Sequence, residues 1–466
     1  MSHLAPLTKR DMPKPLPLKF LLGPSFIILG MGLGSGELIL WPYLASNFGM
    51  GIIWAAVLGI TFQFFLNMEI ERYTLVSGES IFVGLTRKYT RLSPVWFIFS
   101  TLVPWVWPGI IASSATFFAY LFGIIYTPII PIILLLVIGL ILTLGPIVYK
   151  TQEVLQRTLI FVGVPLIFFL VLFIAKLADW EALGFGLMGK GEGYWFLPAG
   201  ISLTTFLGAF AYAGAGGNLN LAQSYYVKEK GYGMGKFSGR LTSILTGKTE
   251  KISLEGTTFV STPSNMQKFK TWWWRINVEH SLIFWLTGAL TILALSFLAF
   301  STTFDNPISS SGVGFVISES QVIAEKTMPF LGSLFLLIAA LMLFSTQFSV
   351  MDATSRIMSE NLVILAPKRF RIEKLSLFYY LFLWILILSG IVIFMLGFTE
   401  PLTLVITGAT LNAFSMFIYT GLVLGLNLTH LAKPLRPGWI RVIVLFSAFS
   451  FYGIFSGFVI WERLFS

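Results

Sequence analysis

Stretches of roughly 20 apolar residues, the length an α-helix needs to cross a bilayer, recur along this chain from near its start to its end. Read with a window of about 19 residues, they give about eleven expected spans, near 20–48, 51–76, 95–123, 128–148, 151–177, 195–225, 281–302, 329–354, 376–397, 401–429 and 438–461. Little remains from which to build a water-soluble core. Of the 466 residues 56% are hydrophobic and only 11% charged, with a mean hydropathy of +0.83. A soluble domain carries about 25% charge, so a soluble enzyme and a nucleic-acid binder are both excluded. The first apolar run is too long for a secretory signal and lies behind a polar segment, so it reads as a span. The chain contains no cysteine, which leaves neither a disulfide framework nor a thiolate metal site.

Charge then orients the spans. If the N-terminal tail is cytoplasmic, the inside segments hold every one of the 31 Lys and Arg except Lys176, Lys190, Lys326 and Arg463. That asymmetry is the positive-inside pattern, and it fits an odd number of spans. The net charge of +10 is therefore a topological signal that also suits anionic lipid on the inner face. The expectation is an all-α integral membrane protein of about eleven transmembrane helices, in a plasma membrane of prokaryotic type, with membrane lipid as its surroundings. Oligomeric state is not legible.

One polar loop, 226–278, interrupts the series. Five spans precede the sixth that leads into it, so spans one to five and six to ten form two units of opposite topology, a 5+5 inverted repeat. The resulting division is a tail at 1–19, a first repeat at 20–177, a second at 195–429 and an eleventh helix at 438–461. In such repeats the first helix of each unit is expected to be broken near the bilayer midplane. Both candidates carry glycine clusters there: Gly30-Met31-Gly32-Leu33-Gly34-Ser35-Gly36-Glu37 in span one, and Ala211-Tyr212-Ala213-Gly214-Ala215-Gly216-Gly217-Asn218 in span six. Close helix packing is the plain alternative, since small residues line helix interfaces in membranes. Two features favour a site. Each run ends in a polar residue at a depth where a charge is costly, and unwound backbone is tolerated there only around a cavity.

These residues resemble a known family. Gly23-Pro24 followed by Gly34-Ser35-Gly36-Glu37 stands where Nramp transporters have an Asp-Pro-Gly-Asn metal-binding break. Pro329-Phe330-Leu331-Gly332-Ser333, Ser345-Thr346-Gln347-Phe348-Ser349 and Met358-Ser359-Glu360 are similar to that family's eighth-helix pattern. The chain thus resembles a distant, atypical Nramp-related transporter of the amino acid–polyamine–organocation superfamily, which implies the leucine-transporter fold with helices 1 and 6 broken. The departures are as informative. The family's metal-binding Asp and Asn correspond to Gly34 and Glu37, and its sixth-helix Met-Pro-His to Tyr212-Ala213-Gly214. With the thioether gone, manganese or iron selectivity is not expected. Span three, 95–123, carries no charge, and His3, His280 and His430 read as tail or membrane-end residues, so the family's proton route is not expected either. Gly34-Ser35-Gly36 and Phe210-Ala211-Tyr212-Ala213-Gly214 are instead similar to the breaks of the superfamily's amino acid transporters.

The candidate substrate residues are Gly34, Ser35, Gly36, Glu37, Tyr212, Ala213, Gly214, Ala215, Gly216, Gly217, Asn218 and Gln347. Half-helix N-termini with free amides attract an anion, so the preferred cargo is a small anion such as bicarbonate or a carboxylate. A hydrated Mg²⁺ held by Glu37 and Asn218 is the alternative; an amino acid, or a sensor without transport, is a further one. Glu37 has a plainer reading as a cap on the broken helix. Ser349, Asp352 and Thr354 in span eight are candidates for a coupling sodium ion, against the reading that Asp352 pairs with Arg356 one turn on. Glu69, Glu71 and Arg72 read as a solvated or paired surface cluster, and Trp272-Trp273-Trp274 as an interfacial anchor. Neither paired carboxylates nor a nucleophile with a base is spaced for catalysis, so no enzyme and no cofactor are expected.

Overall fold

The computed structural model describes residues 4–18, 21, 23–90, 92–144, 148–238, 254–304 and 312–465. Lys19, Arg91, Arg240, Lys248 and Lys251, which enter the charge argument above, lie outside the described residues, as do the side chains of Lys150 and Arg463. Nearly all of the rest is helix. In chain order the helices are α1 (Pro24–Phe48), α2 (Met50–Ser77), α3 (Ile81–Tyr89), α4 (Leu92–Trp105), α5 (Gly109–Leu121), α6 (Ile129–Leu144), α7 (Val148–Ile174) and α8 (Leu177–Leu187). There follow α9 (Leu203–Ala211), α10 (Leu219–Lys230), α11 (Pro263–Thr303), α12 (Gly314–Lys326), α13 (Pro329–Leu365), α14 (Leu375–Met395), α15 (Pro401–His430) and α16 (Trp439–Phe465).

Among the described residues nine stretches are long and apolar enough to cross a membrane, α4 and α5 together forming one of them. The shorter α6 and the pair α9–α10 stand where the fourth and sixth spans are expected. Apolar side chains such as Phe161, Leu172, Leu388, Val392 and Phe446 remain exposed on α7, α14 and α16. In water these would form an aggregating surface; in lipid they form the required one. At the centre lie α1, α2, α9–α10 and α13, whose glycines allow backbones to approach closely, the packing device available where no hydrophobic force drives helices together. A Cβ on Gly59 of α2, for instance, would lie 2.8 Å from the Ala213 methyl between α9 and α10.

Hydropathy misplaces two features. The 226–278 segment is not all loop, because α11 starts at Pro263, far ahead of the span expected at 281. Thr262 caps it, its hydroxyl accepting from the Asn265 amide at 3.3 Å. The polar first half of α11 is held by the N-terminal tail: Trp272 Nε1 donates to Pro13 O at 3.0 Å, and Arg275 Nη1 to Leu16 O at 2.6 Å. Thr8–Lys9 and Thr257–Thr258 pair as two short parallel strands in the same region. Trp272 is accordingly buried rather than interfacial, and of the three tryptophans only Trp274 is exposed. The second misplacement is the surface cluster, since Glu69, Glu71 and Arg72 are all buried. Glu69 and Arg72 pair at 2.8 Å, whereas Glu71 points elsewhere.

Candidate functional site

The sixth span is broken as its glycines predict. After Ala211 the chain leaves the helix and resumes it at Leu219, and Gly216 (φ +73°) and Gly217 (φ +53°) take the left-handed conformation that a Cβ disfavours. The freed backbone groups are caught by neighbours. Gln63 of α2 donates from Nε2 to Ala211 O at 2.9 Å and accepts from the Gly216 amide at 3.2 Å, bridging the two half-helices. Asn220 Nδ2 donates to the same Gln63 oxygen at 3.2 Å, and the Tyr419 hydroxyl donates to Gly217 O at 2.7 Å. By contrast, the amides of Gly214, Ala215, Gly217 and Asn218 donate to nothing among the described residues. They precede the N-terminus of α10, where the helix dipole adds partial positive charge.

The first span is not broken. It runs as one helix from Pro24 to Phe48, with a single wide π turn at Gly36–Leu40 in which the Trp41 amide reaches back to Gly36 O. Pro42 explains the turn: it lacks an N–H and its ring crowds the carbonyl four residues back, so the helix widens there instead of unwinding. Gly36 itself is helical, at φ −80° and ψ −54°. The glycines of α1 serve close approach instead. A Cβ on Gly32 would lie 2.8 Å from the Gly214 backbone, one on Gly34 2.5 Å from the Thr346 hydroxyl, and one on Gly36 1.5 Å from Tyr212 O. The packing alternative is thus the right one for span one, which offers no second free half-helix terminus.

A second interruption falls in the third span, between α4 and α5, where Pro104 and Pro108 bracket a non-helical turn. Trp105, at the end of α4, stacks on Tyr212 with ring centroids 5.5 Å apart and planes 7° from parallel. The Tyr212 hydroxyl accepts from Asn412 Nδ2 of α15 at 2.9 Å, and Asn218 Nδ2 donates to Ser100 and Thr101 of α4 at 2.8 Å each. Several polar atoms here are buried with no partner among the described residues: Trp105 Nε1, Asn218 Oδ1, Asn220 Oδ1 and Asn412 Oδ1. Orphaned buried groups are few in folded proteins and call for a ligand, water or ion.

Glu37 is fully buried, and neither carboxylate oxygen has a partner among the described residues. Its Oε1 lies 3.5 Å from the Cβ position of Gly288, so it faces α11 rather than the break and caps no broken helix. Ser35 is buried with an unpartnered hydroxyl, and Gln347 is 2% exposed with no hydrogen bond from its amide among the described residues. The span-eight candidates are engaged with three different elements. Ser349 accepts from Gln156 Nε2 of α7 at 2.7 Å, and Thr354 donates to Val350 O of its own helix at 2.6 Å. Asp352 accepts from Arg356 Nε at 2.9 Å and from the Tyr379 hydroxyl of α14 at 2.8 Å, while Arg356 also pairs with Glu229.

Sequence reasoning missed Gln63, Trp105, Asn412 and Tyr419, which hold the break from α2, α4 and α15. A polar residue inside an apolar run was the available signal for Gln63 and Asn412. It also misplaced His280, which is fully buried in α11.

No family model matches the chain, and no curated protein matches its sequence. Solved structures do. A variant of the Eremococcus coleocola manganese transporter superposes with a TM-score of 0.67 at 14% identity, covering 97% of this chain and 95% of that one. The same transporter bound to an aromatic bis-isothiourea compound gives 0.65 at 14% identity, over 98% and 97% of the two chains. A nucleobase-cation-symport-1 family transporter, closed around bromovinylhydantoin, gives 0.52 at 13% identity over 96% and 94%. At such identities the likeness is one of fold, and the chain is an all-α membrane protein with the fold of these transporters.

Proposed function

We propose that this protein is a secondary-active transporter, a divergent relative of the Nramp family, that carries a small anion by exposing the α9–α10 break alternately to the two sides of the membrane. The observation that carries the reading is the row of unbonded amides at Gly214, Ala215, Gly217 and Asn218 beside the N-terminus of α10. Backbone donors at a helix N-terminus select negative charge, and bicarbonate or a short carboxylate has the size and acceptors to use them. Among the described residues, neither the break itself, 211–219, nor the side chains that hydrogen-bond to it include a thioether or a carboxylate, which disfavours manganese. Glu37 supports a second reading, because an unpaired buried carboxylate is an attraction for a cation such as Mg²⁺.

The test is a flux panel in proteoliposomes with bicarbonate, acetate, Mg²⁺, Mn²⁺ and amino acids, with and without a sodium gradient. Anion uptake is expected, lost in Gly214→Val, whose Cβ would meet Gln63 Oε1 at 2.7 Å and the Phe284 ring at 2.9 Å. Glu37→Gln should leave anion binding in place. Mg²⁺ uptake abolished by Glu37→Gln, with no response to bicarbonate, would replace this reading by the second one.

A further inference from the structure

Away from the break, four helices bring polar side chains, three of them titratable, into one buried cluster. Glu71 comes from α2, Gln223 from α10, Glu279 and His280 from α11, and Ser25 from the first turn of α1. Glu279 is 5% exposed and the others 0–1%. The Ser25 hydroxyl lies 2.5 Å from Glu279 Oε2 and 2.7 Å from His280 Nδ1. Gln223 Nε2 donates to Glu71 Oε1 at 2.6 Å, and that same oxygen lies 3.6 Å from His280 Nδ1. The imidazole is clamped between Phe64, at 5.7 Å, and Phe284, at 4.7 Å.

Three features of this cluster call for a ligand. Glu71 Oε2, Glu279 Oε1 and His280 Nε2 are all buried without a hydrogen-bond partner among the described residues. Two carboxylates, Glu71 and Glu279, are buried close enough for like charges to repel. And α11 changes from α-helix to a π turn, Ser281–Leu286, immediately after His280, a distortion found mostly at functional positions. Among the described residues, no group of three His, Asp or Glu side chains is disposed to hold a metal ion. The charged groups that face the cluster are few. Glu71 acts from α2 and Lys230 from α10, where it also bonds Glu153 at 3.3 Å; α1 contributes only the neutral Ser25.

We propose that Ser25, Glu71, Glu279 and His280 form a buried proton-carrying site, and that the proton it holds is the coupling ion of the transport cycle. The connectivity defines the path. With Glu279 ionised, Ser25 donates its single proton to Glu279 Oε2, so His280 must donate from Nδ1 to the serine oxygen, leaving Nε2 bare. A proton taken up at Nε2 lets Nδ1 pass its own to Ser25 Oγ, as Ser25 passes its hydroxyl proton to Glu279. One proton enters, one is stored on Glu279, and the imidazole ends neutral. Glu71, whose Oε1 lies 3.6 Å from Nδ1, is the second acceptor. The cluster joins α1, α2, α10 and α11, so its charge changes where these helices meet and biases their relative positions.

Only the second half of this proposal rests on the transporter reading, and the experiment separates the two halves. Infrared titration of the full chain in lipid vesicles reads protonated carboxyl groups directly. Glu279→Gln and Glu71→Gln, which keep size and polarity, are expected each to remove part of the protonated-carboxyl band, and Glu37→Gln a separate part. A band unchanged in both Glu279→Gln and Glu71→Gln, in variants that unfold at the wild-type temperature, would overturn the proton site. In proteoliposomes, Glu279→Gln is expected to lose tenfold or more of the bicarbonate or acetate accumulation driven by a pH gradient, counted above the passive accumulation that acetic acid and CO2 give in protein-free vesicles, while retaining exchange of the same anion at equal pH. Accumulation equal to wild type would overturn the coupling role. If no solute of the panel moves at all, the transport reading fails and the infrared result alone decides the proton site.

Discussion

Replacing Gln63 by leucine removes one side chain that holds both ends of the sixth-helix break. Three bonds go: Nε2 to Ala211 O at 2.9 Å, and the two that Oε1 accepts at 3.2 Å from Gly216 N and Asn220 Nδ2. Asn220 keeps the Tyr419 hydroxyl at 3.1 Å, so two backbone groups are left orphaned. Polar bonds in membranes average only about 0.6 kcal/mol, because the unfolded reference finds other partners. Here the groups stay inside a folded break with no alternative, so the cost of orphaning applies, about 1–3 kcal/mol each. Even at the low end, the sum of about 2 kcal/mol is roughly a thirtyfold shift towards opened conformations. Hydrogen exchange read by mass spectrometry on a peptide spanning 211–221 should therefore accelerate about thirtyfold, with exchange in α7 and α14 unchanged. The isosteric Gln63→Glu sharpens the test. A neutral glutamic acid still donates to Ala211 O and accepts from Gly216, whereas a carboxylate only accepts. Exchange should be near wild type in acid and fast in alkali. Wild-type exchange in Gln63→Leu, or no pH dependence in Gln63→Glu, would refute the bridging role.

Two further outcomes follow from buried carboxylates away from the break. Asp352→Asn breaks a buried pair but leaves Arg356 with Glu229, so thermal stability should fall by the lower end of the ~3–5 kcal/mol that such losses cost, with no change in sodium dependence; sodium-driven uptake lost at unchanged stability would instead establish span eight as the coupling-ion site. Glu319, in α12 outside the spanning helices, is held well above the usual carboxylate range by burial. The folded state therefore keeps a proton that the unfolded state releases, and its share of stability, present in acid, is lost as pH rises beyond the ordinary carboxylate value. The melting temperature of wild type should show this decline, and Glu319→Gln should flatten it.

What the sequence disclosed depended on which physical cause each residue obeyed. Spanning segments follow from a bilayer's thickness and the need to satisfy backbone groups within it, so the all-α membrane class and the rough positions of most long helices could be read without structure, although about eleven spans were expected and nine stretches among the described residues are long and apolar enough to cross. The start of α11 could not. Its first half is polar enough to resemble a loop, and it is helical because Trp272 and Arg275 find partners in the N-terminal tail, a contact some 260 residues away in sequence. His280 was lost with it, since a residue placed at a membrane end by hydropathy lies instead at the junction of four helices.

The two glycine clusters show the same limit within the site. Their composition is alike, but one set is required by backbone conformation and the other by proximity. Gly216 and Gly217 occupy left-handed dihedrals, whereas Gly32, Gly34 and Gly36 are helical and are small because Gly214, Thr346 and Tyr212 press against them. A sequence records that no side chain fits and is silent on which reason applies. The difference matters for mechanism, since a broken helix exposes donors to a ligand while a close-packed one supplies only a smooth surface for it to lie against. With the break confined to α9–α10, the asymmetry falls into place: α10 presents the amides, α1 closes over them through glycine contacts, and its π turn puts the unpaired Glu37 on α11, eight residues after His280. The proposed anion site and the proposed proton site share α1, α2, α10 and α11, so on this reading a shift of α11 against α1 driven by protonation at one end would be felt at the other through Glu37.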